Sequence, residues 1–146
     1  MIGIDPSIRN TAVVVLAPDA SVLESFLIST SGLDTVDAMI KVADEIVAKV
    51  REHAGAAVFI ESPAYGSFGQ AVAQMSGLAY VIRTALRRAG ISYRDVAPTT
   101  VKKFACGSGK AKKNLVIKSV YSRFGFDTDD DNIADAYAIA RYGLEG

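Results

Sequence analysis

The stretch that decides the fold is Met1-Ile2-Gly3-Ile4-Asp5-Pro6-Ser7-Ile8-Arg9-Asn10-Thr11-Ala12-Val13-Val14-Val15-Leu16. Two apolar runs flank a short polar loop. The second run, Thr11 to Leu16, is β-branched and too short for an ordinary helix, so it reads as a strand. Pro6 removes a backbone donor and fixes φ, and the polar residues between Ser7 and Asn10 make the turn. The stretch is a hairpin whose first strand ends on a carboxylate, Asp5. A charge at the edge of a sheet is costly to desolvate unless it is paired or binds a cation. The rest of the chain is therefore read for other acids that arrive at the same place.

Moving outward, Ala17-Pro18-Asp19-Ala20 is a turn by composition, and a third strand runs from Val22 to Ser29. The three strands form an antiparallel meander. From Thr35 to His53 the apolar residues Val36, Met39, Ile40, Ala43, Ile46, Val47 and Val50 recur at helical spacing. His53 falls at the C-terminal end, where imidazole suits the helix dipole, and Gly55 is expected to cap. Ala56 to Ile60 is continuously apolar, a strand buried on both faces as parallel strands are, and it leads into Glu61. That is a second carboxylate at the C-terminal end of a strand, the side where open α/β sheets place their sites.

A helix from Phe68 to Ala89 follows, with Val72, Met75, Leu78, Ala79, Ile82 and Leu86 as its core stripe. Its small residues permit close packing in the core or against a second copy. Ile91–Ala97 reads as an edge strand, and Pro98 opens a short helix from Thr99 to Phe104. Cys106-Gly107-Ser108-Gly109-Lys110 is a glycine loop before a basic helix, Ala111 to Phe124. Asp127-Thr128-Asp129-Asp130-Asp131-Asn132 approaches a last helix, Ile133 to Tyr142. Helix capping accounts for up to two of these acids. It does not account for Asp135, alone among Ala134, Ala136, Ala138 and Ala140.

The 146 residues, half of them apolar, suit one domain over 1–146. No apolar run approaches the ~18 residues of a membrane span, and no signal-peptide pattern precedes the first strand. One cysteine, Cys106, excludes an internal disulfide and suits a reducing cytoplasm, bacterial or that of a phage-infected host. With one Cys and one His a structural zinc site is disfavoured. Net charge is zero, yet between Arg83 and Arg123 eleven basic residues stand against one acid, Asp95, leaving +10 in that segment. Such asymmetry points to a polyanionic partner or to a solvated helical face.

Three sources of carboxylate stand out: Asp5, Glu61, and Asp131 with Asp135, which are four apart and share a helical face. Clustered acids repel one another and resist ionising together, a penalty that hard divalent cations remove. Mg²⁺ accepts carboxylate oxygens and keeps waters for substrate. Two such ions ~4 Å apart clamp a phosphodiester during hydrolysis. Together with the basic segment, the acids point to phosphodiester hydrolysis in nucleic acid.

Gly3-Ile4-Asp5-Pro6-Ser7 with Arg9 and Thr11, Ile60-Glu61, and Ala134-Asp135-Ala136 with Ala138-Ile139-Ala140 resemble the RuvC family of Holliday-junction resolvases. Val101-Lys102-Lys103 through Gly107-Ser108-Gly109 to Ala111-Lys112-Lys113 is similar to that family's basic loop, and Gln74 and Gly77 to a Gln-x-x-Gly on its dimer-forming helix. The resemblance implies an α/β, RNase H-like fold: a five-stranded mixed sheet with strands 1–3 antiparallel, 4 and 5 parallel to 1, and helices on both faces. It implies a homodimeric endonuclease acting on four-way junctions or other branched DNA, with two Mg²⁺ ions per site, Mn²⁺ able to substitute, and no nucleotide cofactor. Asp5, Glu61, Asp131 and Asp135 would be the metal ligands, Asp5 bridging, and water would attack in line to leave 5′-phosphate and 3′-hydroxyl ends. Lys113 would stabilise charge on the phosphate and Lys102 would hold the backbone. Arg9, Tyr65, Phe68, Lys103, Lys110 and Lys112 complete the expected DNA contacts. The compact size suggests a bacteriophage-type member.

Three positions depart from the family pattern. Ser7 stands where the family commonly has Gly. Asn132 stands where the family has its third acid (or a His), so Asp131 is preferred as ligand, with Asn132 and Asp130 as alternatives. Ala64 stands where some members have a wedging aromatic, a part that Tyr65 or Phe68 would take by stacking. Rival readings are an actin-like sugar kinase or ATPase, for which 146 residues leave no second domain, a related nuclease acting on RNA or on flap or Y-shaped DNA, and a module that binds branched DNA without cutting it.

Overall fold

Strands form where the β-branched runs lie. The computed structural model describes residues 1–63 and 68–146. Among these, β1 (Ile2–Asp5), β2 (Asn10–Leu16), β3 (Val22–Ser29), β4 (Val58–Glu61) and β5 (Tyr93–Val96) make one sheet in the order β3-β2-β1-β4-β5. β1 is antiparallel to β2 and β2 to β3, while β4 is parallel to both β1 and β5. The mixed sheet expected from the sequence is present.

Strand alternation sorts the central side chains into two cores. Ile2 and Ile4 of β1 and Val13 and Val15 of β2 face α1 (Thr35–Glu52) and α2 (Gln70–Arg88). Ala12, Val14 and Leu16 face α3 (Pro98–Cys106), α4 (Lys113–Phe124) and α5 (Asp131–Glu145). Each Ile or Val fully buried in this way contributes about 1.5–3 kcal/mol.

On β1 the second face carries Gly3, and α5 lies directly on it. A Cβ at Gly3 would sit 2.2 Å from the Ala136 carbonyl oxygen and 2.5 Å from the Ala140 nitrogen. The contact requires glycine on the strand and alanines one turn apart on the helix.

The helix boundaries correct several expectations. α5 begins at Asp131 rather than Ile133 and runs to Glu145, with Asp130 as N-cap accepting from the Ile133 N–H at 3.0 Å. α1 ends on a His53 cap whose N–H reaches the Val50 carbonyl, and Gly55 instead turns the chain into β4 at φ +90°. The buried face of α1 is also rotated from the expected one. Ala38, Val42, Ile46 and Val50 are buried along one i+4 row, whereas Val36 is 65% and Ile40 50% exposed. Two residues are a 200° turn of the helix, so those two cannot share that row.

Candidate active site and metal centre

The parallel register of β1 and β4 pairs Gly3 with Phe59 and Ile4 with Ile60, so the next step sets Asp5 beside Glu61. Both acids follow by two the residues that face α5, Gly3 and Phe59, and so share that side of the sheet. The seat of α5 on Gly3 then brings Asp135, next to Ala136, over the ends of the two strands. Asp131 lies one turn earlier, in the first turn of α5.

Hydrogen bonds hold the loop after Asp5. Fully buried Thr11 accepts from the Ser7 N–H at 3.0 Å and donates to the Ser7 carbonyl at 2.6 Å. Buried Thr30 donates to the Ile8 carbonyl at 2.5 Å. Ala20 is the one described non-glycine residue with positive φ, so position 7 has no conformational need for glycine and Ser7 fits it. Below Glu61, the Ser62 N–H bonds the Val96 carbonyl at 2.9 Å, and Arg83 joins α2 to β5 through Asp95 at 2.5 Å. The role of Thr30 and the pairing of Arg83 with Asp95 are not legible in the sequence, because the partners are distant along the chain.

The electrostatics show how closely the acids are gathered. Burial, then the Glu61 and Asp135 carboxylates, hold Asp5 well above the ordinary aspartate range, with Lys113 opposing. Burial and Asp135 push Glu61 up to about 7, and burial pushes Asp135 up to about 6, while Lys102 and Lys113 oppose both shifts. Asp131 behaves differently: a hydrogen bond from the Lys113 Nζ at 2.5 Å holds it below the ordinary range. Asp5, Glu61 and Asp135 thus form a half-buried group deficient in positive charge, and Asp131 a neutralised rim.

This donor set fits a hard divalent cation, because carboxylate oxygens are its preferred ligands and its charge relieves the repulsion that raises all three groups. The four acids are more open than a closed chelate. Among the described residues, the trio whose donor atoms all lie within 4.8 Å of one another is instead Glu24, Glu52 and His53. That trio is at the other end of the sheet, since Glu24 pairs through Val15 with Ile2. Its cation is internal: the Lys49 Nζ lies 2.9 Å from Glu24 and 2.5 Å from Glu52.

The raised carboxyls carry a consequence for stability. A carboxyl whose folded pKa exceeds its unfolded value keeps protons that the unfolded chain has released, so stability falls as pH rises between the two values. For Glu61 and Asp135 that window runs from the ordinary carboxylate range near 4 to about 6–7. The metal-free protein is therefore expected to melt lower at pH 8 than at pH 5 through these groups. Asp135→Asn should raise its midpoint at pH 8 by roughly 3–8 °C, read by thermal denaturation in EDTA. An unchanged or lower midpoint would contradict the assigned repulsion.

The expected DNA contacts are placed unevenly. Lys102 and Lys113 lie near enough to the acids for their charges to oppose the shifts of Glu61 and Asp135, and Lys113 contacts Asp131 directly. Lys103, Lys110 and Lys112 are exposed on α3 and the loop before α4, and Phe68 is fully exposed. Arg9 is engaged within the protein, donating to the Leu33 carbonyl at 2.9 Å. Tyr65 and Ala64 lie outside the described residues.

The +10 segment does not make one surface. Arg83, Arg87 and Arg88 ride on α2, on the opposite face of the sheet from α3 and α4. Arg83 is paired with Asp95, and Arg123 donates to the Phe104 and Ala105 carbonyls at the end of α3.

A family model described as crossover junction endodeoxyribonuclease RuvC matches residues 1–141. The chain belongs to the RuvC family. RuvC of Sorangium cellulosum (strain So ce56) is 27% identical, covering 96% of this chain and 81% of that protein. RuvC of Parvibaculum lavamentivorans is 24% identical, over 95% and 82%. Among solved structures, Thermus thermophilus RuvC superposes with a TM-score of 0.74 at 21% identity, over 98% of this chain and 96% of that one. The same protein in complex with Holliday junction substrate gives 0.77 at 23% identity, over 95% and 88%. These two likenesses establish the RuvC fold, and the family model with the curated relatives establishes the membership. No described helix is long and apolar enough to cross a membrane.

Proposed function

We propose that residues 1–146 work as one nuclease domain that resolves Holliday junctions or closely related branched DNA by paired, metal-dependent nicks, leaving 5′-phosphate and 3′-hydroxyl ends. The observation that carries this reading is the gathering of Asp5 and Glu61, at the ends of β1 and β4, with Asp135 in the second turn of α5, flanked by Lys102 and Lys113, in a chain of the RuvC family. Bound Mg²⁺, or Mn²⁺ in its place, supplies Lewis-acid activation of water and neutralises charge on the phosphate. Asp5, Glu61 and Asp135 would hold the ions, with Asp131 as the fourth ligand. Asp5, which feels the charge of all three other acids, would be the ligand most central to the site. Lys102 and Lys113 bind the scissile phosphate.

The protein is proposed to act as a homodimer, so that two sites meet symmetric strands, and in the cytoplasm. Val36, Ile40, Tyr80 and Phe68 leave apolar surface along α1 and α2 that suits a second copy. Gly77 is not part of that surface, because a Cβ there would meet the Met39 side chain of α1 at 3.3 Å.

The deciding experiment incubates purified protein and Mg²⁺ with matched four-way, Y-shaped, duplex and RNA–DNA hybrid substrates. Paired nicks confined to the four-way junction are expected. Faster cleavage of the Y-shaped or hybrid substrate would reassign the specificity, and binding without any nicking would leave a non-cleaving module. Lys103→Ala is expected to lower the salt slope of junction binding by about 0.9, the value for one phosphate contact. An unchanged slope would assign Lys103 to solvent.

A further inference from the structure

Lys113 and Asp131 form the close ion pair at the rim of the site, with the Nζ 2.5 Å from Oδ2. The pair adds little to the fold. Lys113 is 67% exposed, and exposed pairs contribute little to stability. Its lysine is also the first residue of α4, where the helix dipole disfavours a cation. Its effect is felt instead by the acids behind it, since the Lys113 charge opposes the upward shifts of Asp5, Glu61 and Asp135. In this arrangement the ammonium stands in part for a cation, and its hydrogen bond to Asp131 keeps it there.

Building on the metal-site reading above, we propose that Asp131 is an exchange latch. It holds Lys113 beside the acids until a divalent cation binds, and then gives up the ammonium as its carboxylate turns to the ion. A cation brought to Asp131 with the Lys113 ammonium 2.5 Å from its Oδ2 would be repelled by that ammonium, so the two compete for one carboxylate. Lys113, once released, keeps its charge and has an exposed, flexible stem with which to reach a phosphate. The exchange gives the site an order: the lysine becomes free for substrate only after the acids have been neutralised. It also makes Lys113 a competitor of the metal as well as a partner of the DNA. Asp131 is in this sense a positioning residue for Lys113.

The test is a cycle of four proteins: wild type, Lys113→Met, Asp131→Asn and the double variant. Mg²⁺ and Mn²⁺ binding is measured calorimetrically without DNA. The exposed positions of both side chains make folding of all four expected, and melting curves check it. Lys113→Met is expected to tighten metal binding about two- to fivefold in the wild-type background, the range set by breaking an exposed pair. In the Asp131→Asn background the same change should bring almost no gain. Equal gains in both backgrounds would mean that Lys113 acts only through its long-range charge, and would overturn the latch while leaving the metal site intact. No metal binding by wild type would instead remove the metal-site reading, and the latch with it.

Discussion

Asp5→Asn is expected to abolish Mg²⁺-dependent nicking of a four-way junction, by about a thousandfold or more, while junction binding stays as tight or becomes tighter. Asp5 is the group on which the site converges: Glu61, Asp135 and Asp131 all raise its pKa, and Lys113 alone opposes them. Asn keeps the shape and one acceptor oxygen but removes the charge that would hold the cations. A loss of a thousandfold corresponds to about 4 kcal/mol of transition-state stabilisation, within the several kcal/mol that a polarising metal supplies. Binding is expected to survive because, on the proposed reading, it would rest on the lysines of α3 and the loop before α4, and removing a half-buried negative charge lessens repulsion of the phosphate. Nicking of labelled junction and gel-shift titration in EDTA separate the two effects. Full cleavage by Asp5→Asn would refute the metal centre at this position.

Gly3→Ala is expected to destabilise the protein by about 3 kcal/mol or more, lowering the melting midpoint by roughly 6–15 °C, and to suppress nicking as well. The new methyl would meet the Ala136 carbonyl oxygen at 2.2 Å and the Ala140 nitrogen at 2.5 Å. Both are backbone atoms of α5, so no side-chain rotation relieves the overlap and the helix must lift from β1. Asp131 and Asp135 ride on that helix, and a shift of an ångström separates them from Asp5 and Glu61. Gly77→Ala is the matched control: its Cβ would touch only the flexible end of Met39, and a change of less than about 1 kcal/mol is expected. A Gly3→Ala protein with wild-type melting and activity would show that the close seat of α5 is not what aligns the acids.

Part of this architecture is readable without coordinates. Continuous β-branched runs and a polar turn specify the hairpin of β1 and β2, and the third strand lies at Val22–Ser29 as its composition predicts. Asp5 and Glu61 stand at strand ends because each terminates an apolar run, a property of adjacent residues. The residue types at 5, 61 and 134–136 carry the family pattern in the same local way, whereas Asn132 departs from it.

What depended on tertiary structure is which faces meet. The apolar residues of α1 spread over more than one row, and only contact with the sheet and α2 selected the row of Ala38, Val42, Ile46 and Val50 over that of Val36 and Ile40. The eleven basic residues fall in one segment of the chain yet are divided in space, because α2 crosses one face of the sheet and α3 and α4 the other. Arg9 is committed to the Leu33 carbonyl, and Lys113 to Asp131 eighteen positions away. Propensity and periodicity act over a few residues and settle strands, helices and turns. Ion pairs, the half-buried carboxyls and the seat of α5 on Gly3 arise between segments far apart in the chain, so only the packed fold decides them.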